Sequence, residues 1–179
     1  MDINDEFSLR NLLEHMAISF VRGDGYDMRI CANGEDVTDR IRTREIGLLS
    51  SNVAKKAVVR KKLVDIQRKA GDKGDIVAEG RDMGTYVFPE ADFKFYLDAD
   101  IEQRAARRWK ELKLSGTETT LAEIKTDIER RDKQDMERAE SPLHPAPNAV
   151  IIDTTDLEVH EVVGAILNEV ESGRLLGSE

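Results

Sequence analysis

The run Glu79-Gly80-Arg81-Asp82-Met83-Gly84-Thr85 sets a guanidinium beside a carboxylate between two glycines. Asp75-Ile76-Val77-Ala78 leads into it and predicts a buried strand, and Val87-Phe88-Pro89-Glu90 leads away towards a second strand over 93–98. Glycine allows a positive φ or a close approach of ligand to backbone. Open α/β sheets place their ligands at the carboxyl ends of strands. An Arg-Asp pair fixed there holds a phosphate and a hydrogen-bond donor at once. Taken by itself, the same pair also fits a solvated turn stapled by its own charges.

Three further groups of charge have usable spacing. Arg131, Asp135 and Arg138 stand at i, i+4 and i+7 and share one helical face. They read either as a phosphate clamp, with Asp135 accepting from a sugar hydroxyl, or as a surface salt-bridge row worth little energy. Arg104 and Arg108, with Arg107 between them, follow the second strand. They are suited to stacking on a base or gripping a triphosphate, and equally to pairing with Glu102 and Glu111. Lys55, Lys56, Arg60, Lys61, Lys62, Arg68 and Lys69 oppose only Asp65, which makes either an electrostatic funnel for an anion or a solvated face. His15, His144 and His160 are too scattered for a metal site. With one cysteine, Cys31, and no Gly-x-Ser-x-Gly, there is no case for a thiol or serine nucleophile.

The elements that must position these groups are legible in outline. Leu9, Leu12, Leu13 and Met16 predict a short amphipathic helix. Runs at 17–21 and 28–32, followed by Asn33-Gly34, predict an antiparallel meander, because Asn-Gly favours a type I′ turn. Residues 43–70 predict a helix, with or without one break. Strands are expected at 75–79, 93–98 and 149–153 with helices between them, an alternation that implies a parallel sheet. Thr155 and Glu158 fit a capping box for a final helix striped by Val159, Val162, Val163, Ile166, Leu167 and Val170. The prolines of Ser141–Pro147 stop the helix before them.

The 179 residues suit one domain with a small inserted lobe. A hydrophobic content of 40% supports a real core. The net charge of −9 opposes general coating of nucleic acid. No apolar stretch approaches the roughly 20 residues of a membrane span. The opening Met1-Asp2-Ile3-Asn4-Asp5-Glu6 is too acidic for a signal peptide, so the expected location is the cytoplasm.

Several segments in order resemble the bacterial cytidylate kinases, the CMP/dCMP branch of the nucleoside monophosphate kinases. They are Asn33–Thr38, Ile41–Glu45, Gln67-Arg68, Glu79–Thr85 with Val87-Phe88-Pro89, Arg131 to Arg138 with Ala139, Pro142-Leu143, and Ile151–Thr155. The resemblance implies a P-loop-NTPase-like parallel α/β sheet with an inserted antiparallel β/helical lobe for the nucleoside monophosphate and a helical lid. The lobe with its flanking helices would span 1–70, and the remaining core 71–179 with the lid around 104–138.

It also implies transfer of the ATP γ-phosphoryl group to CMP or dCMP with Mg²⁺. Carried over by position, Ser51, Arg60 and Asp82 are the cytosine-side contacts, Asp82 accepting from the exocyclic amine that uracil lacks. Arg131 and Asp135 are ribose-side, Arg81 and Arg138 reach phosphate, Arg104 and Arg108 are lid arginines over ATP, and Glu79 acts on Mg²⁺ through water.

The departures are as informative. No Gly-x-x-x-x-Gly-Lys-Ser/Thr and no Asp-Thr/Ser-Gly-Ala-x-Tyr-Arg occurs in the 179 residues. The resemblance therefore implies a chain that starts past the opening strand and phosphate loop of such an enzyme, with negligible kinase activity alone. The missing strand would lie between 75–79 and 93–98, leaving two edges unpaired. The expected outcomes are instability, direct pairing of those strands, a borrowed strand from a complementary segment, or self-association. Ala57 replaces a proline frequent in the family, and on one unbroken helix Ser51 and Arg60, nine residues apart, would face opposite ways. Two other readings stay open beside the truncated kinase: a non-catalytic CMP-binding or regulatory module, and one half of a split kinase.

Overall fold

The computed structural model describes residues 5–23, 28–43, 46, 49–50, 53–54, 56–72, 74–114, 116–138 and 141–176. The chain divides into two compact units, Met1–Val77 and Ala78–Glu179, each taken in turn.

In the first unit, helix α1 (Glu6–His15) starts at Asp5, whose carboxylate accepts from the Phe7 amide. A side-chain oxygen there satisfies one of the amides that a helix start leaves open. Leu9 and Leu13, one turn apart, are buried with Val59, and Val53 and Val58 pack on them. Val59 belongs to α2 (Ala57–Gly71), so the core of this unit is a helix–helix seam.

Strands β1 (Ile18–Arg22), β2 (Met28–Ala32) and β3 (Glu35–Asp36) form the antiparallel meander. Asn33 and Gly34 both have positive φ, 51° and 83°, as a type I′ turn requires. Asn33 ties the turn to the start of β1 by donating its amide to the Ala17 carbonyl (2.7 Å) and accepting the Ala17 amide at its side chain (2.8 Å).

The 43–70 stretch is broken. Lys56 is extended (ψ 121°) and α2 begins at Ala57, the first helical position, where a proline would also be tolerated. The basic residues Lys61, Arg68 and Lys69 lie exposed on α2, whose Val59 and Val64 are buried.

In the second unit, β4 (Phe95–Asp98) and β5 (Val150–Asp153) pair in parallel, with Phe95 opposite Val150 and Asp98 opposite Asp153. Between them run α3 (Ile101–Leu114) and α4 (Leu121–Glu137). α4 opens with a complete capping box, Thr120 and Glu123 each satisfying the other's backbone. Ala105 of α3 and Ile124 of α4 are buried. Helix α5 (Val159–Leu176) closes the unit.

Two expectations fail here. Residues 75–79 form no strand: the stretch is exposed throughout, Val77 completely so. Its β-branched residues suit a strand, but no ladder partner stands beside it among the described residues, and propensity without a partner does not hold a strand. The capping box of Thr155 and Glu158 is also absent. The Thr155 hydroxyl donates to Asp153 (2.6 Å) and accepts from the Asp100 amide (3.0 Å), while the Glu158 amide donates to Glu161 (2.8 Å). Thr155 ties α5's approach to the end of β4, and Glu161 does the capping. Among the described residues no helix is long and apolar enough to cross a membrane.

Candidate active site

Because β4 and β5 are parallel, their carboxyl ends open on one rim. There the Thr154 amide (2.8 Å) and hydroxyl (2.9 Å) both donate to the Asp98 carbonyl. The Thr155 hydroxyl and amide hold the Asp153 carboxyl below the usual carboxylate range. Arg107, passed over in favour of its neighbours Arg104 and Arg108, reaches this rim from α3. Its Nη2 donates to the carbonyls of Thr154 (2.5 Å), Leu157 (3.1 Å) and Thr155 (3.3 Å), and its Nη1 to the Thr154 hydroxyl (3.3 Å). No local periodicity signals a guanidinium that binds 47 positions downstream.

Arg104 has partners of its own. It donates to the Ala99 carbonyl (2.9 Å) and forms an ion pair with Asp132 of α4. It lines a shallow cleft of about 350 Å³ with Glu129, Asp132, Glu137 and Lys133. Three carboxylates against two cations make that cleft unsuited to a triphosphate in this arrangement. Arg108 pairs with Glu111 at 2.8 Å on the exposed face.

Four of the other sequence-derived residues of this unit, Arg81, Arg131, Asp135 and Arg138, converge. After Asp82, Met83–Val87 forms a π-helical turn, a geometry often found at functional sites. Both the Tyr86 and Val87 amides donate to the Asp82 carbonyl (2.9 and 3.1 Å), and Val87 anchors the turn in the core at 2% exposure. A Cβ on Gly84 would come within 3.1 Å of the Ala146 Cβ, so glycine there permits close approach to the 141–149 loop.

The turn leaves Arg81 Nε 3.1 Å from Asp135 Oδ2. Arg131 Nε lies 3.9 Å from the same oxygen and Arg138 Nη1 3.9 Å from Oδ1. Arg138 also donates to the Ser141 carbonyl (2.5 Å), and the Leu143 amide to the Asp135 carbonyl (2.8 Å), fixing the end of α4 to the loop. Three guanidinium groups thus surround one carboxylate that is 18% exposed. This is more than a surface row, since Arg81 joins from another element. Asp82, half-buried, precedes the turn. Arg60 belongs to the first unit, half-buried on α2, and Ser51 lies outside the described residues.

A family model described as cytidylate kinase matches residues 1–172. The chain belongs to the cytidylate kinase family. It is 45% identical over 160 residues to a cytidylate kinase of Citrifermentans bemidjiense, covering 89% of this chain and 68% of that protein. Against the cytidylate kinase of Stutzerimonas stutzeri the identity is 42% over 178 residues, 99% of this chain and 78% of the relative. The cytidylate kinase of Coxiella burnetii is 43% identical over 169 residues, covering 94% and 71%. The family is one of phosphotransferases, and a cluster of arginines around developing negative charge is equipment that phosphoryl transfer needs.

Proposed function

We propose that the chain carries the acceptor-nucleotide site of a kinase that phosphorylates CMP or dCMP at the expense of ATP. The single observation behind this reading is the convergence of Arg81, Arg131 and Arg138 on Asp135. In it, Arg81 and Arg138 hold the nucleotide phosphate, Arg131 and Asp135 the sugar, and Asp82 accepts from the cytosine amine. Guanidinium groups present paired donors that match phosphate oxygens. A lid role for Arg104 and Arg108 requires each to exchange its present acidic partner for ATP phosphates.

When bound, Mg²⁺ supplies neutralisation of charge on the transferring phosphates. Among the described residues no group of three or more His, Cys, Asp or Glu is placed to hold a metal ion, and Glu79 lies exposed on the unpaired 75–79 stretch. Mg²⁺ is commonly held by one or two carboxylates together with nucleotide phosphates and water, and in this reading Glu79 is the carboxylate that acts on it through water.

Calorimetric titration of the 179-residue chain with CMP, dCMP and UMP tests the reading. The expected result is CMP or dCMP bound and UMP bound more weakly, with Asp82→Asn losing that discrimination. Arg81→Ala or Arg131→Ala is expected to weaken CMP by roughly tenfold to a hundredfold. Absence of CMP binding by the folded chain contradicts it. A coupled assay is expected to show negligible kinase activity for this polypeptide alone, because no Gly-x-x-x-x-Gly-Lys-Ser/Thr motif of the kind that cradles β- and γ-phosphates occurs in its 179 residues. Activity that appears on adding a polypeptide with a Gly-rich Lys-Ser/Thr loop would instead identify a split kinase.

A further inference from the structure

The carboxylate of Asp135 has an unusual position for a group inside a cluster of cations. Its Oδ2 is out of contact with solvent yet accepts no hydrogen bond of good geometry among the described residues, although Arg81 Nε is 3.1 Å away. The attraction is therefore mainly Coulombic and poorly directed, and a directed donor is still wanted. Nothing in the packing of α4 calls for a carboxylate there, since the helix buries Ile124 for its core contact. Asp135 lies within 4 Å of all three guanidinium groups, where any bound anion must also sit.

We propose that Asp135 is an internal counter-anion that makes the arginine cluster reject bare inorganic phosphate while admitting a phosphate ester that also carries hydroxyl groups. A free phosphate ion must compete with the carboxylate for the same donors and lies against its negative charge. It offers Oδ2 little in exchange. A sugar hydroxyl donates to Oδ2, satisfies the buried oxygen and draws the carboxylate away from the arginines. The carboxylate thereby converts a general anion site into one that reads phosphate and hydroxyl together, which is a form of selectivity by disfavouring the wrong ligand. This inference rests on the acceptor-site reading for the identity of its favoured ligand, but not for its effect on phosphate.

Inorganic phosphate and CMP are titrated separately into the wild-type chain, Asp135→Asn and Asp135→Glu, each checked for cooperative thermal unfolding. Asp135→Ser replaces the asparagine variant if that one does not fold. Removal of the charge is expected to tighten inorganic phosphate by roughly tenfold and to weaken CMP, whereas Asp135→Glu leaves phosphate affinity near the wild-type value. Unchanged or weaker phosphate binding in the folded neutral variants overturns the proposal, as does an equal gain in Asp135→Glu. If wild-type CMP binding is absent but phosphate still tightens in the neutral variants, the counter-anion role stands and the acceptor-site reading falls. Wild-type CMP binding without any gain for phosphate has the opposite meaning.

Discussion

Arg107 shows how much one side chain fixes at the sheet rim. Its guanidinium serves three backbone carbonyls of the segment that follows β5 and one threonine hydroxyl. Arg107→Ala leaves those carbonyls to find water in a half-buried place, and is expected to cost about 1–3 kcal/mol. Arg107→Lys should recover only part of this, because an ammonium on a flexible stem cannot repeat the fork. Urea unfolding of both variants, with the slope unchanged, checks the ranking. At this scale, the face shared by Arg131 and Asp135 was legible because one turn of helix brings them together, with Arg138 at the cap that ends the same helix. The approach of Arg81 to Asp135 was expected only from the family resemblance, since no spacing rule joins a turn to a distant helix. Arg107 and Asp132 were missed for the same reason: their partners are set by how α3 packs, not by neighbours in the chain.

Among the elements, α3 and α4 are linked by the pair Lys125–Glu102 (2.5 Å). The one hydrogen bond, donated by Lys125 and accepted by Glu102, lowers the Glu102 carboxyl and raises the Lys125 ammonium. The signs are opposite. The lowered carboxyl contributes stability above the ordinary glutamate range, lost as pH falls through its folded value. The raised ammonium contributes below the ordinary lysine range, lost as pH rises through its folded value. The pair should therefore help over the broad interval between the two and fade at both ends, with a small effect because both groups are solvent-exposed. Thermal melts of wild type and Lys125→Met across that interval should differ by a small constant amount and converge in acid and in strong base. The meander, the parallel β4–β5 pair and the capped α4 follow from local signals: Asn33-Gly34, alternating strands and helices, Thr120 with Glu123. The stretch 75–79 does not, because Ile76 and Val77 have strand character but a strand is defined by a neighbour. Thr155 likewise had the right spacing to cap α5 and was taken by Asp153 and Asp100 instead.

For the whole chain, a parallel sheet of two strands is an exposed arrangement, since such sheets are ordinarily covered on both faces. Leu97 on β4 and Ile151 on β5 are more than half exposed. Self-association through the face that carries Leu97, which the register sets opposite to that of Ile151, is the expected result, seen as a concentration-dependent rise in apparent mass by light scattering and reduced in Leu97→Lys. An apparent mass that stays constant with concentration contradicts it. The β4–β5 ladder carries a further consequence. Contacts at its rim join positions 55 apart, such as the Asp100 amide and Thr155, and closing so long an arc is entropically slow unless the intervening chain is already short-circuited. Helices α3 and α4, which meet through local contacts, supply that shortcut. The hairpin of α3 and α4 is thus also the jig on which the two strands are brought side by side, so damage to it should be felt first in how quickly the chain is assembled.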